Sequence, residues 1–378
     1  MKGLQSMKKI LFLIPSLGGG GAEKVLVNLV NRLNAEKYEI TVRVLFDSDV
    51  NKSSLKPHIK YQYTFGRAFR GNVHLMKLFS PETLYKCFVK EHYDIVISYL
   101  EGVTARIVAG CNRTDTKIIN WVHNEFHDIR KISKVYRSKR AALRCHLKYD
   151  ATVFVADSAR QAFAKAMPAL RENLYTLYNT LDSEAIAEKA NEKTEEGLFS
   201  EDAINLISVG RFAPQKAFDR LIRIANKLIK EDKLPVKLYL LGSGSLYKKY
   251  RAQIAQYGIQ DSVIFLGYRQ NPYKYVKRAD VFVCSSLHEG YSTAVSESLI
   301  VGMPVITTRC SGMEELLGEN DTYGIITENS EAALYIGLKE LLRQKEKMAH
   351  YKSRAQIRGK AFDAKAAVTA IEDFLEKI

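Results

Sequence analysis

Three short stretches of this sequence concentrate residues able to bind anions or sugar hydroxyls. The first reads Ser16-Leu17-Gly18-Gly19-Gly20-Gly21 and runs into an apolar-periodic segment, Ala22–Leu33. Glycines let a backbone come close to a ligand, and a helix N-terminus aims free N–H groups at an anion. The dinucleotide fingerprint GxGxxG fails here, because the sixth position is Glu23 counted from Gly18 and Lys24 counted from Gly19; GxxxxGK[ST] is also absent. The second stretch, Ser208-Val209-Gly210-Arg211-Phe212-Ala213-Pro214-Gln215-Lys216, places two cations five residues apart on a loop. A planar guanidinium fork and a point-charge ammonium so spaced can converge on one diphosphate.

The third stretch is Ser285-Ser286-Leu287-His288-Glu289-Gly290-Tyr291-Ser292, with a helix expected from about Thr293. Glu289 and Glu297 are eight residues apart, one on the loop and one about a turn into the helix, so both can face one ligand. Carboxylates suit pairs of sugar or ribose hydroxyls, and the free N–H groups of Ser292 to Ala294 suit a phosphate. Two rival patterns are weaker. Asp47-Ser48-Asp49 is a three-residue DxD after a strand and reads as a polar strand exit. His123 and His127 share i, i+4 spacing but have neither HExxH nor a carboxylate cluster, so no metal site is expected.

These loops need strands to hold them. Short β-branched apolar runs occur at Lys9–Ile14, Glu39–Phe46, Asp94–Tyr99, Lys117–Val122, Ala151–Ala156 and Leu174–Tyr178. A second set follows at Ile204–Val209, Val236–Leu241, Ser262–Leu266, Ala279–Cys284, Pro304–Thr308 and Tyr323–Ile326. Continuous apolar runs separated by helical patterns such as Phe218–Ile229 and Thr293–Val301 indicate parallel sheets buried on both faces. The chain is therefore expected to form two doubly wound α/β domains. The polar, acidic stretch 182–202 reads as a surface connection between them, and helical periodicity alone runs from Ala332 to the end. Open parallel sheets bind ligands beyond the carboxyl ends of their strands, and that is where all three stretches fall.

Taken in order, GGGGAE, SVGRFAPQK and EGYSTAVSESLIVGMPVITT resemble family 4 of the retaining glycosyltransferases, over most of the chain and most strongly from Ile204 to Ile326. The resemblance implies the GT-B fold, two Rossmann-like domains facing across a cleft. The expected domains are 1–181 on the acceptor side and 203–360 binding a nucleotide-sugar, with 361–378 packing back on the first as a helix. It also implies that Glu289, the first acid of E-x7-E, contacts donor-sugar hydroxyls while Glu297 holds the ribose. Arg211 and Lys216 would bind the diphosphate, with Gly290, Tyr291, Ser292 and Thr293 beside them. Gly18, Gly19, Gly20 and Gly21 would lie near the donor phosphate and the acceptor. His123, in Asn120-Trp121-Val122-His123, is the matching candidate for contact with the transferred sugar. The commonest donor carrier in the family is uridine diphosphate, and no metal or other cofactor is expected.

Charge adds a partner. Of 57 Lys and Arg against 42 Asp and Glu, residues 1–180 hold 29 and 15, so nearly all of the net +15 lies in the first half. Such an asymmetry points to a polyanion. The segment 130–148 (RKISKVYRSKRAALRCHLK) holds eight cations and no acid, with Ile132, Val135, Tyr136, Leu143 and Leu147 at helical spacing; 67–77 (RAFRGNVHLMK) mixes cations with Phe69, Leu75 and Met76. A cationic helix with an apolar stripe can lie in an anionic bilayer interface. No nucleic-acid-binding motif accompanies these segments. No run approaches the roughly 18 apolar residues of a spanning helix. The opening run Ile10–Ile14 is too short for a signal peptide. The five cysteines are widely spaced without CxxC, so neither disulfides nor zinc are expected. The expectation is a cytoplasmic enzyme, peripheral on the inner face of the membrane, extending a lipid-linked glycan. The alternatives are a sugar-nucleotide epimerase or binding protein without transfer activity, and a nucleic-acid-binding α/β protein.

Overall fold

A computed structural model of the chain describes residues 7–47, 50–67 and 71–378. Residues 1–6 of the opening, Ser48 and Asp49 of the DxD, and residues 68–70 of the first basic segment lie outside the described residues. The chain divides into two compact units: residues up to Thr180 together with Lys365–Ile378, and Leu181–Ala364.

The first unit is built on a seven-stranded parallel sheet: β1 (Lys8–Ile14), β2 (Tyr38–Phe46), β3 (Lys60–Phe65), β4 (Ile95–Ser98), β5 (Lys117–Val122), β6 (Ala151–Phe154) and β7 (Leu174–Thr176). Their order is β3-β2-β1-β4-β5-β6-β7. β1 sits inside the sheet with its last five residues, Ile10–Ile14, buried, as an unbroken apolar run requires when helices cover both faces. The second unit repeats the plan with β8 (Ile204–Val209), β9 (Val236–Leu241), β10 (Val263–Gly267), β11 (Val281–Cys284), β12 (Val305–Thr308) and β13 (Ile325–Thr327), in the order β10-β9-β8-β11-β12-β13. Its core joins these strands to the helices Phe218–Lys230 and Glu331–Arg343, which bury Leu221, Ile224, Leu228, Leu334, Leu338 and Leu341.

In both sheets the strand order reverses beside the first strand, between β1 and β4 and between β8 and β11. Such a reversal splays the two following loops apart and opens a crevice at the carboxyl edge. The loops after β8 and β11 are those carrying Arg211, Lys216 and Glu289.

Three expectations need correction. β3, with the sequence KYQYTF, is not among the expected strands; among the described residues it pairs only with β2 and leaves its residues at least partly exposed, so it lacks a continuous apolar run. The stretch 182–202 is not merely a connection: Ser183–Ala190 is a helix, capped by the Asp182 carboxylate accepting from Ala185 N, and it packs on the helices Tyr273–Val276 and Thr293–Ile300. Nor is 130–148 one helix with a stripe left free. It breaks into Ile129–Ile132, the 3-10 turn Ser133–Val135 and Lys139–His146, the last capped by Ser138. Its apolar residues turn inward, Ile132, Tyr136, Cys145 and His146 all being buried, while Leu147 is 57% exposed.

The C-terminal helix Ala364–Lys377 packs on the first unit. Val368, Ile371, Phe374 and Leu375 are buried, and Phe374 packs on Tyr175 with ring centres 5.0 Å apart. Polar ties reinforce it: Tyr38 Oη donates to Glu376 (2.7 Å), Asn34 N to Glu372 (2.7 Å) and Lys8 Nζ to Leu375 O (3.1 Å).

Candidate active site

The loop after β8 is shaped by close backbone approach. Gly242, just past β9, has φ +143°, and a Cβ there would fall 1.9 Å from Gly210 O, so only glycine lets the two chains meet. Phe212 N donates to Ser243 O at 2.8 Å, and Phe212 itself is buried among Phe218, Tyr250 and Phe265. An anchored Phe212 leaves its neighbour Arg211 exposed at the sheet's edge, while Lys216 ends a short turn, Pro214–Lys216.

Lys216 does not stand free. Its Nζ lies 2.6 Å from Glu289 Oε1, and Ser286 Oγ donates to the same oxygen at 2.5 Å. Burial works against the Lys216 ammonium, but the Glu289 carboxylate outweighs it, and the opposing influence of Arg211, and holds Lys216 charged above its ordinary range. The two basic residues and the first acid of E-x7-E therefore form one electrostatic group. Glu289 and Glu297 are both buried, at 7% and 8% exposure. Glu297 accepts a hydrogen bond from Tyr273 Oη at 3.1 Å. Burial, and then the adjacent carboxylate, push the Tyr273 phenol far above its usual range, so it stays protonated and can donate to Glu297.

Gly290, Tyr291 and Ser292 are buried and Thr293 half-buried, completing the turn into the helix Thr293–Ile300. Gly312, at φ +73°, packs under this turn, where a Cβ would fall 2.5 Å from Gly290 O. Among the described residues no side chain caps the helix, and the buried Ser292 hydroxyl has no hydrogen-bond partner. An uncapped start directs several N–H groups outward and carries partial positive charge. This turn and the Lys216–Glu289 pair can together bind a phosphorylated polyol: cations and N–H groups for phosphate, carboxylates for hydroxyls.

In the first unit, Gly18–Gly21 follow β1 and open the helix Gly21–Val30, whose N-cap Gly20 offers no side chain. Asn51 Nδ2 donates to Gly18 O and so fixes the loop. His123 follows β5. Its backbone N–H donates to Glu101 Oε2 at 2.9 Å, its ring lies 4.8 Å from that of Tyr99, and its buried Nε2 has no partner among the described residues. Burial pushes its pKa down to about 3, so the imidazole is neutral near pH 7. Of the rival patterns, Asp47 accepts from Tyr61 and lies 3.6 Å from Lys52, and His127 pairs with Glu125 on a loop, off any helical face. Among the described residues no three His, Cys, Asp or Glu side chains gather to hold a metal.

Several supporting residues escape sequence reasoning. Arg220, on the helix Phe218–Lys230, is only 5% exposed; it donates to Ser285 O, to Ser286 O (3.2 Å) and to Asn329 Oδ1 (3.0 Å). Asn329 in turn donates to Leu287 O at 2.8 Å. Together they clamp the loop that carries Glu289. The available signal is an arginine inside an otherwise apolar helical face, which must find acceptors when buried. Tyr273 and Glu101 carry no such signal.

Comparison with known proteins bears on the family and the fold. The family model described as Glycosyltransferase Family 4 matches residues 19–185, and that described as Glycosyl transferases group 1 matches 189–358. A Campylobacter jejuni protein named N-acetylgalactosamine-N,N'-diacetylbacillosaminyl-diphospho-undecaprenol 4-alpha-N-acetylgalactosaminyltransferase is 27% identical over 372 residues, covering 94% of this chain and 96% of its own. An Escherichia coli UDP-Gal:alpha-D-GlcNAc-diphosphoundecaprenol alpha-1,3-galactosyltransferase is 25% identical, covering 82% and 84%. In fold, the chain is similar to Anabaena HepE crystallised with UDP and glucose, at a TM-score of 0.76 and 19% identity, with 98% of this chain and 100% of the other covered. With two adjacent glycosyltransferase models spanning both units, and relatives of that activity aligned over nearly its whole length, the chain belongs to the family 4 glycosyltransferases of GT-B fold.

Proposed function

We propose that the enzyme transfers a hexosyl group from a nucleotide-diphosphate donor, a UDP-sugar, to a lipid-linked or glycan acceptor in cell-surface polysaccharide assembly, with retention of anomeric configuration. The observation that carries this reading is the charge group at the strand-order reversal of the second sheet: Lys216 tied to Glu289, Arg211 beside it, and an uncapped helix start with an unpartnered Ser292 hydroxyl. Relatives named for lipid-diphosphate acceptors, one of them also for a UDP-sugar donor, support the substrate classes.

In this reading Arg211, Lys216 and the N–H groups of Ser292 and Thr293 take the diphosphate, with Gly290 and Tyr291 shaping the turn. Glu289 grips hydroxyls of the donor sugar and Glu297 those of the ribose. The bond from the anomeric carbon to the diphosphate oxygen breaks, and the acceptor oxygen attacks from the face the diphosphate leaves. The acceptor's proton passes to a phosphate oxygen of the leaving group. Fixed cations stabilise the charge that develops there, so the step needs no metal. His123, being neutral, serves as a hydrogen-bonding partner of the transferred sugar rather than as an acid, and Gly18–Gly21 allow close approach of donor phosphate and acceptor. We place the enzyme in the cytoplasm, peripheral on the inner membrane face, where such an acceptor would be met.

The test is transfer from a panel of nucleotide sugars to a lipid-diphosphate-linked acceptor, with the product's anomeric configuration read by NMR. Turnover should fall by about 10²–10³ in Lys216→Ala, the cost of losing one preorganised charge-stabilising group. It should fall also in Glu289→Ala, which removes the grip on the donor sugar and the partner that holds Lys216 in place. Donor binding without turnover in the parent protein would leave only a binding protein.

A further inference from the structure

The helix Asn72–Lys77 and the two residues after it form a knuckle on the first unit. Met76 points inward, 5% exposed, and joins the core with Leu84, Tyr85 and Tyr136. Leu75, Leu78 and Phe79 do not: they are 48%, 68% and 47% exposed. Two arginines hold the knuckle in this shape. Arg106, itself 3% exposed, donates to Met76 O (2.7 Å) and Phe79 O (2.5 Å), and Arg137 donates to Lys77 O (2.8 Å) and Leu78 O. A short helix leaves its last carbonyls unsatisfied; here guanidinium groups satisfy them, so the backbone is fixed and the apolar side chains stay presented. Contiguous exposed apolar groups on a fixed backbone mark an interaction surface.

The surroundings select the occupant. The segment 130–148 borders the knuckle through Arg137, and the helix that follows the knuckle, Pro81–Phe88, through the Lys148–Glu82 ion pair (2.9 Å). Within it Lys131, Lys134, Lys139, Arg140 and Arg144 are exposed, and among the described residues none of the five is in an ion pair. Leu147, 57% exposed, adds a further apolar group. A second copy of the chain docking by the same face would bring these cations against each other. An anionic bilayer meets both demands, with acyl chains for the leucines and headgroup phosphates for the cations.

We propose that Leu75, Leu78 and Phe79 insert into the interface of an anionic membrane while Lys134, Lys139, Arg140 and Arg144 bind headgroup phosphates. The inward turn of the 130–148 stripe assigns insertion to the knuckle and leaves that segment the electrostatic part. The benefit to catalysis rests on the lipid-linked acceptor proposed above; the docking itself does not.

The direct probe is Leu78→Trp in the full chain, with vesicles of phosphatidylcholine alone or mixed with phosphatidylglycerol. The native Trp121 is 1% exposed and supplies a constant background. The introduced indole should shift to the blue and be quenched by brominated acyl chains only when phosphatidylglycerol is present. In the parent, Lys134→Glu with Arg140→Glu should weaken vesicle partitioning about tenfold or more at low salt. Lys248→Glu, an exposed cation of the second unit, should leave it unchanged. The triple change Leu75→Ser, Leu78→Ser, Phe79→Ser should release the protein from vesicles yet preserve transfer to a short-chain acceptor in solution. An indole unmoved by vesicles that pellet the protein, equal binding to neutral vesicles, or self-association that the serine variant abolishes in place of vesicle binding would each overturn the proposal. Vesicle docking intact with no transfer to any acceptor would instead sink the transferase reading alone.

Discussion

At the scale of single residues, the pairing of Lys216 with Glu289 changes how the site is understood. Two side chains with opposite proposed tasks, one for phosphate and one for sugar hydroxyls, hold each other in place at 2.6 Å. A buried ion pair adds little net stability, because desolvation offsets much of the attraction. Its use here is positional: each charge is fixed before substrate arrives, as preorganised electrostatic stabilisation requires. Tyr273 does the same for Glu297, and its effect is separable. Tyr273→Phe removes one hydrogen bond to a charged group, worth about 1.5–3 kcal/mol. On the proposed ribose contact of Glu297, donor KM should rise by about tenfold to a hundredfold, with kcat nearly unchanged, since that contact is remote from the breaking bond. Steady-state kinetics with varied donor checks it; a fall in kcat at constant KM would show that Glu297 has another task.

At the scale of elements, the sequence reveals what is buried on both sides and hides what is not. β1, β8 and β11 are apolar runs that end in glycine-rich or charged loops, so their positions and the residues beyond them, including Arg211, Lys216, Glu289 and Glu297, are legible in the order of amino acids alone. β3 is not, because an edge strand pairs on one side only and its aromatic and polar residues need no apolar period. The clamp by Arg220 and Asn329 is equally hidden, joining residues 109 apart in sequence through contacts that only the folded sheet creates. The segment 130–148 illustrates the opposite error, since its apolar spacing is real but serves the core. His146 within it makes a testable case. Its ring sits among Tyr136, Tyr149 and Phe163 with neither nitrogen partnered among the described residues, and burial pushes its pKa down to about 4. The unfolded chain therefore binds this proton first as pH falls, so stability present above about pH 6.5 is lost progressively down to about pH 4. The loss from this one group approaches about 3 kcal/mol. His146→Phe should flatten that part of the pH dependence of urea unfolding, leaving the pH-dependent loss from His123, whose lowered pKa acts with the same sign. An unchanged slope would mean that water or another polar group reaches the ring.

At the scale of the whole molecule, one topology is used twice and charged differently. Both sheets reverse strand order beside their first strand, so both offer a crevice at the same topological point. The first half of the chain carries nearly all the excess positive charge, and the second carries a nearly balanced set of acids and bases, as the proposed nucleotide-sugar site requires. Where the diphosphate is held decides whether this division of labour is right. Calorimetric titration of UDP against UMP, in the parent and in Arg211→Ala and Lys216→Ala, isolates the contribution of the second phosphate. UDP should bind the parent at least about a hundredfold more tightly, two charge-assisted contacts' worth, and each substitution should remove most of that advantage while leaving UMP affinity within a few-fold. An advantage of UDP over UMP that survives both substitutions intact would contradict the assignment of Arg211 and Lys216 to the diphosphate.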